Sequence, residues 1–395
     1  MDALETFRIE TRAWLEANCP QSMRSPASSK EQVWAGRNKT FPSQDAKDWL
    51  ERMADKGWTC PEWPSQYGGG GLSPEQGKIL TEEMKAINAR KPLFDLGIWM
   101  LGPALLEYGS EEQKQEHIPK IVRGDIRWAQ GYSEPGSGSD LASLKTKAED
   151  MGDHFLVNGT KLWTTNAEKC DWIFCLVRTD PDAIKQQGIS FLLIDMETEG
   201  VTASPYALIS GESEFCETVF DNVKVPKKNL VAEINTGWSV AKALLKHERK
   251  LMSEMGDAPS VSFSPAQAAI DYVGLGADGK LKDAALRTQL VEHEMRFRAV
   301  GLTHFRSFEE RINGISDSNV PMIMKYVGTE EQKNKEELYV ALLGARGIGW
   351  DENFSDDERL ATRNMLFSKA LSIAGGTSEV QLNIIAKRVL GLPDA

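Results

Sequence analysis

The period of the hydrophobic pattern changes twice along this chain, and that constrains the fold more than any other feature. Up to about residue 128 the apolar spacing is helical: Phe7, Thr11, Trp14 and Leu15 fall on one face, and Trp49, Met53 and Trp58 continue the pattern. A Pro/Gly-rich stretch, residues 61–71, breaks these helices before Ser73-Pro74 starts another. Between about 129 and 232 short β-type runs take over: Trp172 to Val177, Ile189 to Ile194 and Thr218 to Val225. His154-Phe155-Leu156-Val157 leads into Asn158-Gly159 and out through Lys161-Leu162-Trp163, the pattern of a tight hairpin. From Gly237 the helical period returns, with breaks near 274–283 and 344–357, and a last helix is predicted with Ser378 as N-cap, Gln381 three residues on, and Gly391 and Pro393 as its stop. The expectation is an α+β chain in three parts: an N-terminal α-helical domain over 1–128, a middle β-barrel or sandwich over 129–232, and a C-terminal helical bundle over 233–395.

At the start of the β region lies the stretch Gly131-Tyr132-Ser133-Glu134-Pro135-Gly136-Ser137-Gly138-Ser139-Asp140. Glycines among hydroxyl side chains let the backbone turn sharply and present N–H and O–H donors to a ligand, which suits an anion or the edge of a flat heteroaromatic ring. It is not the dinucleotide fingerprint, because a third glycine and a following βαβ unit are missing. A net charge of −12 argues against a nucleic-acid surface. Five cysteines fit neither a disulfide framework nor a metal spacing, and no apolar run is long enough to cross a membrane. With the acidic start Met1-Asp2-Ala3-Leu4-Glu5, these features lead to the expectation of a cytoplasmic protein with no stable membrane insertion.

The order helical, β, helical, the loop Tyr132 to Asp140, the run Trp163-Thr164-Thr165-Asn166 and the terminal Gly375-Gly376-Thr377-Ser378-Glu379-Val380-Gln381 together resemble the acyl-CoA dehydrogenases over essentially the full length. The resemblance implies FAD as cofactor. It places Tyr132, Ser133, Gly138, Ser139, Trp163, Thr164, Thr165, Thr377, Ser378 and Glu379 at the cofactor, with Ser133 at the pyrimidine end, Trp163 against the isoalloxazine and Thr165 on flavin N5. An aromatic face suits a flat ring, and a hydroxyl suits the charge of reduced flavin.

The implied reaction removes an α-proton to a base and a β-hydride to flavin N5, giving a trans-2-enoyl-CoA, and it needs a polarised thioester carbonyl. In many family members the base is a glutamate at the position that is Gly375 here, and glycine has no proton acceptor. The isovaleryl and long-chain subgroup places its glutamate before an arginine on the first long C-terminal helix, and this chain has Lys246-His247-Glu248-Arg249 there. The neighbours of Glu248 three and four residues away are Leu244, Leu245, Leu251 and Met252, so a carboxylate interrupts an apolar stripe. By itself the pattern also fits a charged cluster, Lys246 to Lys250, on a solvated helix; the resemblance implies Glu248 as the base and the Gly375 backbone N–H as the carbonyl donor, with Ser139, His247, Arg249 and Gly376 expected at the substrate.

Two departures touch the half of FAD that carries ADP. The usual Arg-x-x-Phe-Gly segment is replaced by Leu275-Gly276-Ala277-Asp278-Gly279-Lys280-Leu281, and the usual glutamine and Gly-Gly-Asn-Gly run corresponds to Ala341 and Gly344-Ala345-Arg346-Gly347, which makes Arg346 a candidate substitute. The resemblance further implies an acyl-CoA substrate, an electron-transferring flavoprotein as acceptor, and a homodimer, homotetramer or mixed-subunit assembly. A non-catalytic CoA- or partner-binding subunit, and a flavin oxidase or monooxygenase on the same scaffold, are the alternatives; a colourless protein or peroxide formed in air separates them.

Overall fold

The computed structural model describes residues 2–26, 31–245, 264–314 and 319–393. Its contacts divide the chain into two units, Met1–Tyr206 with Glu214–Val261, and Ala207–Ser213 with Ser262–Ala395.

The first unit opens with α1 (Ala3–Asn18), α2 (Gln44–Asp55), α3 (Pro74–Ala86), α4 (Gly102–Tyr108) and α5 (Glu111–Val122). Their starts follow from local chemistry: Ser73 and Ser110 each close a capping box with a glutamine three residues on. Leu15, Trp49, Met53, Trp58 and Leu80 bury the apolar stripes of α1 to α3 against one another. Eight strands follow: β1 (Trp128–Gly131), β2 (Lys147–Asp150), β3 (His154–Thr165), β4 (Trp172–Arg178), β5 (Ile189–Asp195), β6 (Val201–Tyr206), β7 (Phe215–Pro226) and β8 (Leu230–Val231). They form one sheet in the order β6-β7-β3-β2-β4-β5-β8, with β1 parallel to β4.

Strands near both ends of that order contribute to the same inner core: Phe220 and Val223 of β7 lie in one cluster with Leu192 and Ile194 of β5 and with Phe155 and Val157 of β3. The sheet therefore curls over its own face as an open barrel rather than stacking as two sheets. On its other face Trp128, Phe174, Leu176, Phe191 and Leu193 pack with Leu101, Leu105, Ile118 and Ile121 of the helices. Covered on both sides, β4 and β5 read as unbroken apolar runs. The helix α6, described over 237–245, adds Val240, Ala241 and Leu244 to that outer core.

The hairpin expected at Asn158-Gly159 does not form. β3 runs straight through it, pairing with β7 along its length, and the turn to β2 lies instead at Met151-Gly152-Asp153, where the Met151 N–H donates to the His154 carbonyl. Asn158 and Gly159 face an extra residue on β7: the register steps from Val157↔Val223 to Gly159↔Phe220, and Asn158 Oδ1 accepts from the Asn222 N–H at 2.8 Å. Gly159 has φ +150°, and a Cβ there would lie 2.6 Å from Thr146 Oγ1. Glycine is required here by strand packing, not by a turn.

The second unit holds α7 (Pro265–Ala268), α8 (Ala284–Ile312), α9 (Val320–Leu343), α10 (Asp356–Leu371) and α11 (Ser378–Ile384). The two expected breaks appear as a loop closed by the Leu275↔Leu281 bridge and as the 3-10 turn Gly344–Ile348 with its following loop. Leu338, Tyr339, Leu342 and Leu343 of α9 pack with Ala268, Ala269, Leu281 and Ala361. His293 and Arg296 of α8 both bond Glu331 of α9, at 2.6 and 3.0 Å. The N-cap of the last helix is Thr377, whose Oγ1 accepts from the Val380 N–H, so the boundary lies one residue before the expected Ser378. Adjacent hydroxyl residues offer the same cap chemistry, and sequence does not separate them.

Candidate functional site

In the first unit β1 delivers the chain into the glycine-rich loop. Tyr132 is buried, its ring edge-on to Phe174 and Phe191. Ser133 is half-buried, and its carbonyl accepts from the Leu162 N–H at 2.8 Å. Glu134 and Ser137 exchange both backbone hydrogen bonds, at 2.9 and 3.0 Å, which closes a tight turn over Pro135-Gly136. Ser137 and Ser143 hydroxyls both donate to the Asp140 carbonyl and fix the loop's exit.

Beneath the loop lies a buried ion pair. Lys161 Nζ, wholly inaccessible, donates to Glu134 Oε1 at 2.8 Å and to the Tyr132 carbonyl at 3.1 Å. The Glu134 carboxylate also accepts from the Lys145 and Thr146 N–H groups, at 2.7 and 2.8 Å. Burial, the largest single influence, pushes the Glu134 carboxyl up, but Lys161 and these N–H donors together outweigh it and hold it below its ordinary value. The loop's underside is thus tied down, while at Gly136 and Gly138 a Cβ would meet nothing within 4 Å, and Ser139 is exposed. That combination leaves a fixed backbone rim with open space over it.

The end of β3 supplies the second element. Between Lys161↔Thr218 and Thr164↔Cys216 the strand carries one extra residue, so Lys161 and Thr164 both point inward and Trp163 is expelled. Trp163 sits at φ +63°, an unusual conformation for a bulky residue, and is 51% exposed, with Tyr206 and Phe215 edge-on at 5.5 and 5.6 Å. Thr165, next along, is half-buried. The Thr164 hydroxyl is buried against the Cys216 carbonyl at 2.8 Å and Thr218 Oγ1 at 2.7 Å, which leaves its backbone for a ligand. The fixed rim, the open space over Gly136 and Gly138, and an indole held out by a bulge together fit a flat cofactor such as a flavin.

In the second unit the residues from 371 to 379 form a compact turn. Gly375 and Gly376 have φ +64° and +97°. The Gly376 carbonyl accepts from Lys325 Nζ at 2.7 Å, and the Gly375 carbonyl from Gln381 Nε2 at 3.3 Å. Ser378 Oγ donates to Glu330 Oε1 at 2.7 Å, which together with Lys333 holds the Glu330 carboxyl below its ordinary value. Two expected cofactor contacts, Thr377 and Ser378, therefore have their hydroxyls engaged, Thr377 by the helix it caps and Ser378 by Glu330 of α9, while Glu379 is exposed. A cavity of about 340 Å³ opens beside them, lined by Tyr326, Glu330, Lys333 and Ser372 among others. Arg346, the candidate substitute ligand, pairs through its Nε and Nη2 with both oxygens of Glu358 at 2.7 and 2.6 Å, and its guanidinium covers the Phe354 ring.

Glu248, His247 and Arg249 lie outside the described residues, as α6 is described only to 245. Glu134, Lys161, Lys325 and Glu330 were not singled out from sequence. For Lys161 a signal exists: it shares strand parity with the inward-facing Phe155 and Val157.

Three family models match in order: the acyl-CoA dehydrogenase N-terminal domain over residues 3–125, the middle domain over 129–223 and the C-terminal domain over 235–390. The acyl-CoA dehydrogenase IpdE1 of Mycobacterium tuberculosis is 33% identical over 398 residues, spanning 100% of this chain and 99% of its own. FadE34 of the same organism, also an acyl-CoA dehydrogenase, is 35% identical over 341 residues, 86% of this chain, but the match spans only 45% of its length. Among solved structures, the Tcur3481-Tcur3483 steroid ACAD superposes with a TM-score of 0.73 at 29% identity, covering 100% of both chains.

Proposed function

The chain belongs to the acyl-CoA dehydrogenase family, and from that premise we propose that it desaturates an acyl-CoA thioester at Cα–Cβ to the trans-2-enoyl-CoA. The observation that carries this reading is the pairing of a pinned Ser133–Ser139 rim with the expelled Trp163, a surface shaped for the flavin on which that reaction depends. The Ser133 to Ser139 backbone, Trp163 and Thr165 would hold FAD. FAD, when bound, supplies the acceptor that takes the β-hydrogen with its electron pair and hands the electrons to an electron-transferring flavoprotein.

This chain's residues do the rest. Glu248 accepts the α-proton as the β-hydrogen leaves, which keeps charge from accumulating on Cα. The Gly375 N–H donates to the thioester carbonyl and stabilises its developing enolate; one such donor is worth roughly 3–4 kcal/mol of barrier. His247, Arg249 and Gly376 would contact the acyl-CoA, and Ser139 would meet the CoA or pyrophosphate side. The reading for the acyl group is a bulky, steroid-derived one. It draws on the steroid ACAD at full coverage and on the absence of a side chain at Gly375, which leaves space where many members carry a glutamate. Assembly into an oligomer is supported by α8, where Val291, Met295, Leu302 and Phe305 share one helical face and are all more than half exposed.

The test is turnover of a panel of straight-chain and steroid-derived acyl-CoAs with an artificial acceptor, for the native chain and for Glu248→Gln. A loss of about 10²-fold or more with flavin retained is expected for removal of the base. Near-normal turnover of Glu248→Gln on the best substrate would overturn the assignment.

A further inference from the structure

The turn carrying Gly375 is clamped from both sides, and one clamp is a lysine from a different helix. The last carbonyls of α10 have no partner within the helix. Lys325 of α9 reaches them, donating to the Leu371 carbonyl at 3.1 Å and, with the same ammonium, to the Gly376 carbonyl at 2.7 Å. A cation at a helix C-terminus is also favoured by the helix dipole. On the near side the Ala374 N–H donates to the Ala370 carbonyl at 2.9 Å, and on the far side Gln381 Nε2 holds the Gly375 carbonyl. The amide that bears the Gly375 N–H thus lies between fixed peptide planes. Two consecutive glycines at φ +64° and +97° are otherwise the most freely rotating pair a chain can place there.

We propose that Lys325 is a positioning residue for the reaction, holding the Gly375–Gly376 turn so that the Gly375 N–H points at the thioester carbonyl. This rests on the reading of that N–H as the carbonyl donor. Lys325 touches neither substrate nor cofactor in this account; it acts by denying the glycine pair its alternative conformations. Of the two carbonyl bonds it makes, the shorter is to Gly376, so the turn rather than the helix end is its principal load. Misorientation of a single donor by a fraction of an ångström removes much of its effect in the transition state, while the CoA moiety binds as before.

The experiment compares Lys325→Met and Lys325→Arg with the native holoenzyme. The expected result for Lys325→Met is a 10- to 100-fold fall in kcat with KM for acyl-CoA changed less than threefold, and recovery of most of that loss in Lys325→Arg, which keeps a cation with several donors. A second readout is the infrared carbonyl band of a bound acyl-CoA carrying sulfur at the β position, which cannot lose a β-hydride. The band should be lowered in the native protein and return toward its free value in Lys325→Met. In ligand-free protein, hydrogen exchange over residues 372–379 should rise in Lys325→Met with α9 still protected. If Lys325→Met does not fold, Lys325→Gln takes its place and should fall between the two. A native-like kcat, a loss confined to KM, or a band that stays as low in the variant as in the native protein overturns the role of Lys325. A native protein whose own band is unmoved on binding overturns the Gly375 reading, and this proposal with it.

Discussion

Replacing Lys161 by methionine tests whether the glycine-rich loop is held from below. The side chain is wholly buried, and its ammonium makes two hydrogen bonds, to Glu134 at 2.8 Å and to the Tyr132 carbonyl at 3.1 Å. Methionine fills nearly the same volume, so cavity effects are small and the loss is electrostatic. Removing one partner of a buried pair costs about 3–5 kcal/mol, because the remaining charge is left in a poor solvent. Glu134 keeps two backbone N–H donors, which places the expected loss near the lower end, about 3 kcal/mol. At roughly 2–4 °C per kcal/mol for a body of this size, the first unit should melt about 6–12 °C lower.

The pH dependence gives the sharper signature. In the native chain the Glu134 carboxyl is held below its ordinary value, so it stabilises the fold above the usual carboxylate range, and that contribution fades as pH falls through its folded pKa. In Lys161→Met burial is no longer offset by a cation and the carboxyl moves up. Protonation then relieves the variant, and the stability gap to the native chain should narrow between pH 7.5 and pH 5. Urea denaturation at several pH values reads the gap directly. Glu134→Gln in the Lys161→Met background removes the unpaired charge while keeping an acceptor for a backbone N–H, and should recover more than half of the loss. A gap below about 1 kcal/mol, or one that stays constant or widens toward pH 5, refutes the argument.

Gly159→Ala should destabilise by about 2–4 kcal/mol, since the new Cβ meets Thr146 Oγ1 at 2.6 Å and the Thr146 Cα at 2.7 Å in a backbone conformation alanine rarely adopts; chemical denaturation measures it. His117, buried edge-on to Trp128 and Trp172, has its pKa lowered by burial to about 4. The unfolded chain takes up this proton near pH 6.5 and the folded one does not, so His117 should erode stability as pH falls from about 6.5 toward 4; His117→Phe should flatten that slope, and an NMR titration in which the signals assigned to the His117 imidazole, those lost in His117→Phe, move near pH 6.5 would contradict it. On α8, Met295→Glu combined with Phe305→Glu should shift the sedimentation profile toward monomer while circular dichroism is unchanged, and an unaltered profile would exclude that face from the assembly.

How much of this was legible in the sequence depends on whether a feature is local. The three-part order, the strand runs of β4 and β5 and the breaks at 274–283 and 344–357 were readable, because burial on one or both faces imposes a period that survives in the residue order. Asn158-Gly159 was misread because its local turn preference is real but weak beside the β7 pairing that runs through it, where Asn158 instead bridges to the Asn222 N–H. The expulsion of Trp163 was invisible for a related reason: a bulge is a relation between two strands, and nothing near Trp163 in sequence reports that β7 is one residue short there. The Glu134–Lys161 pair is likewise non-local, and only strand parity hinted that Lys161 faced inward.

Gly375 shows where a departure from family pattern has a structural meaning of its own. Read as sequence, it is a missing glutamate. In the fold it occupies φ +64°, followed by Gly376 at +97°, so the backbone of the turn takes a path that a side-chain-bearing residue follows only at a cost of about 1–2 kcal/mol. The turn has therefore adapted to glycine, and its rigidity comes from outside: Lys325 and Gln381 hold its two carbonyls, and Ser378 ties its far end to Glu330. A glutamate restored at 375 would oppose that conformation rather than complete it. In the proposed division of labour, a backbone donor at Gly375 and a carboxylate base at Glu248, the donor's precision would depend on a lysine that never meets the substrate.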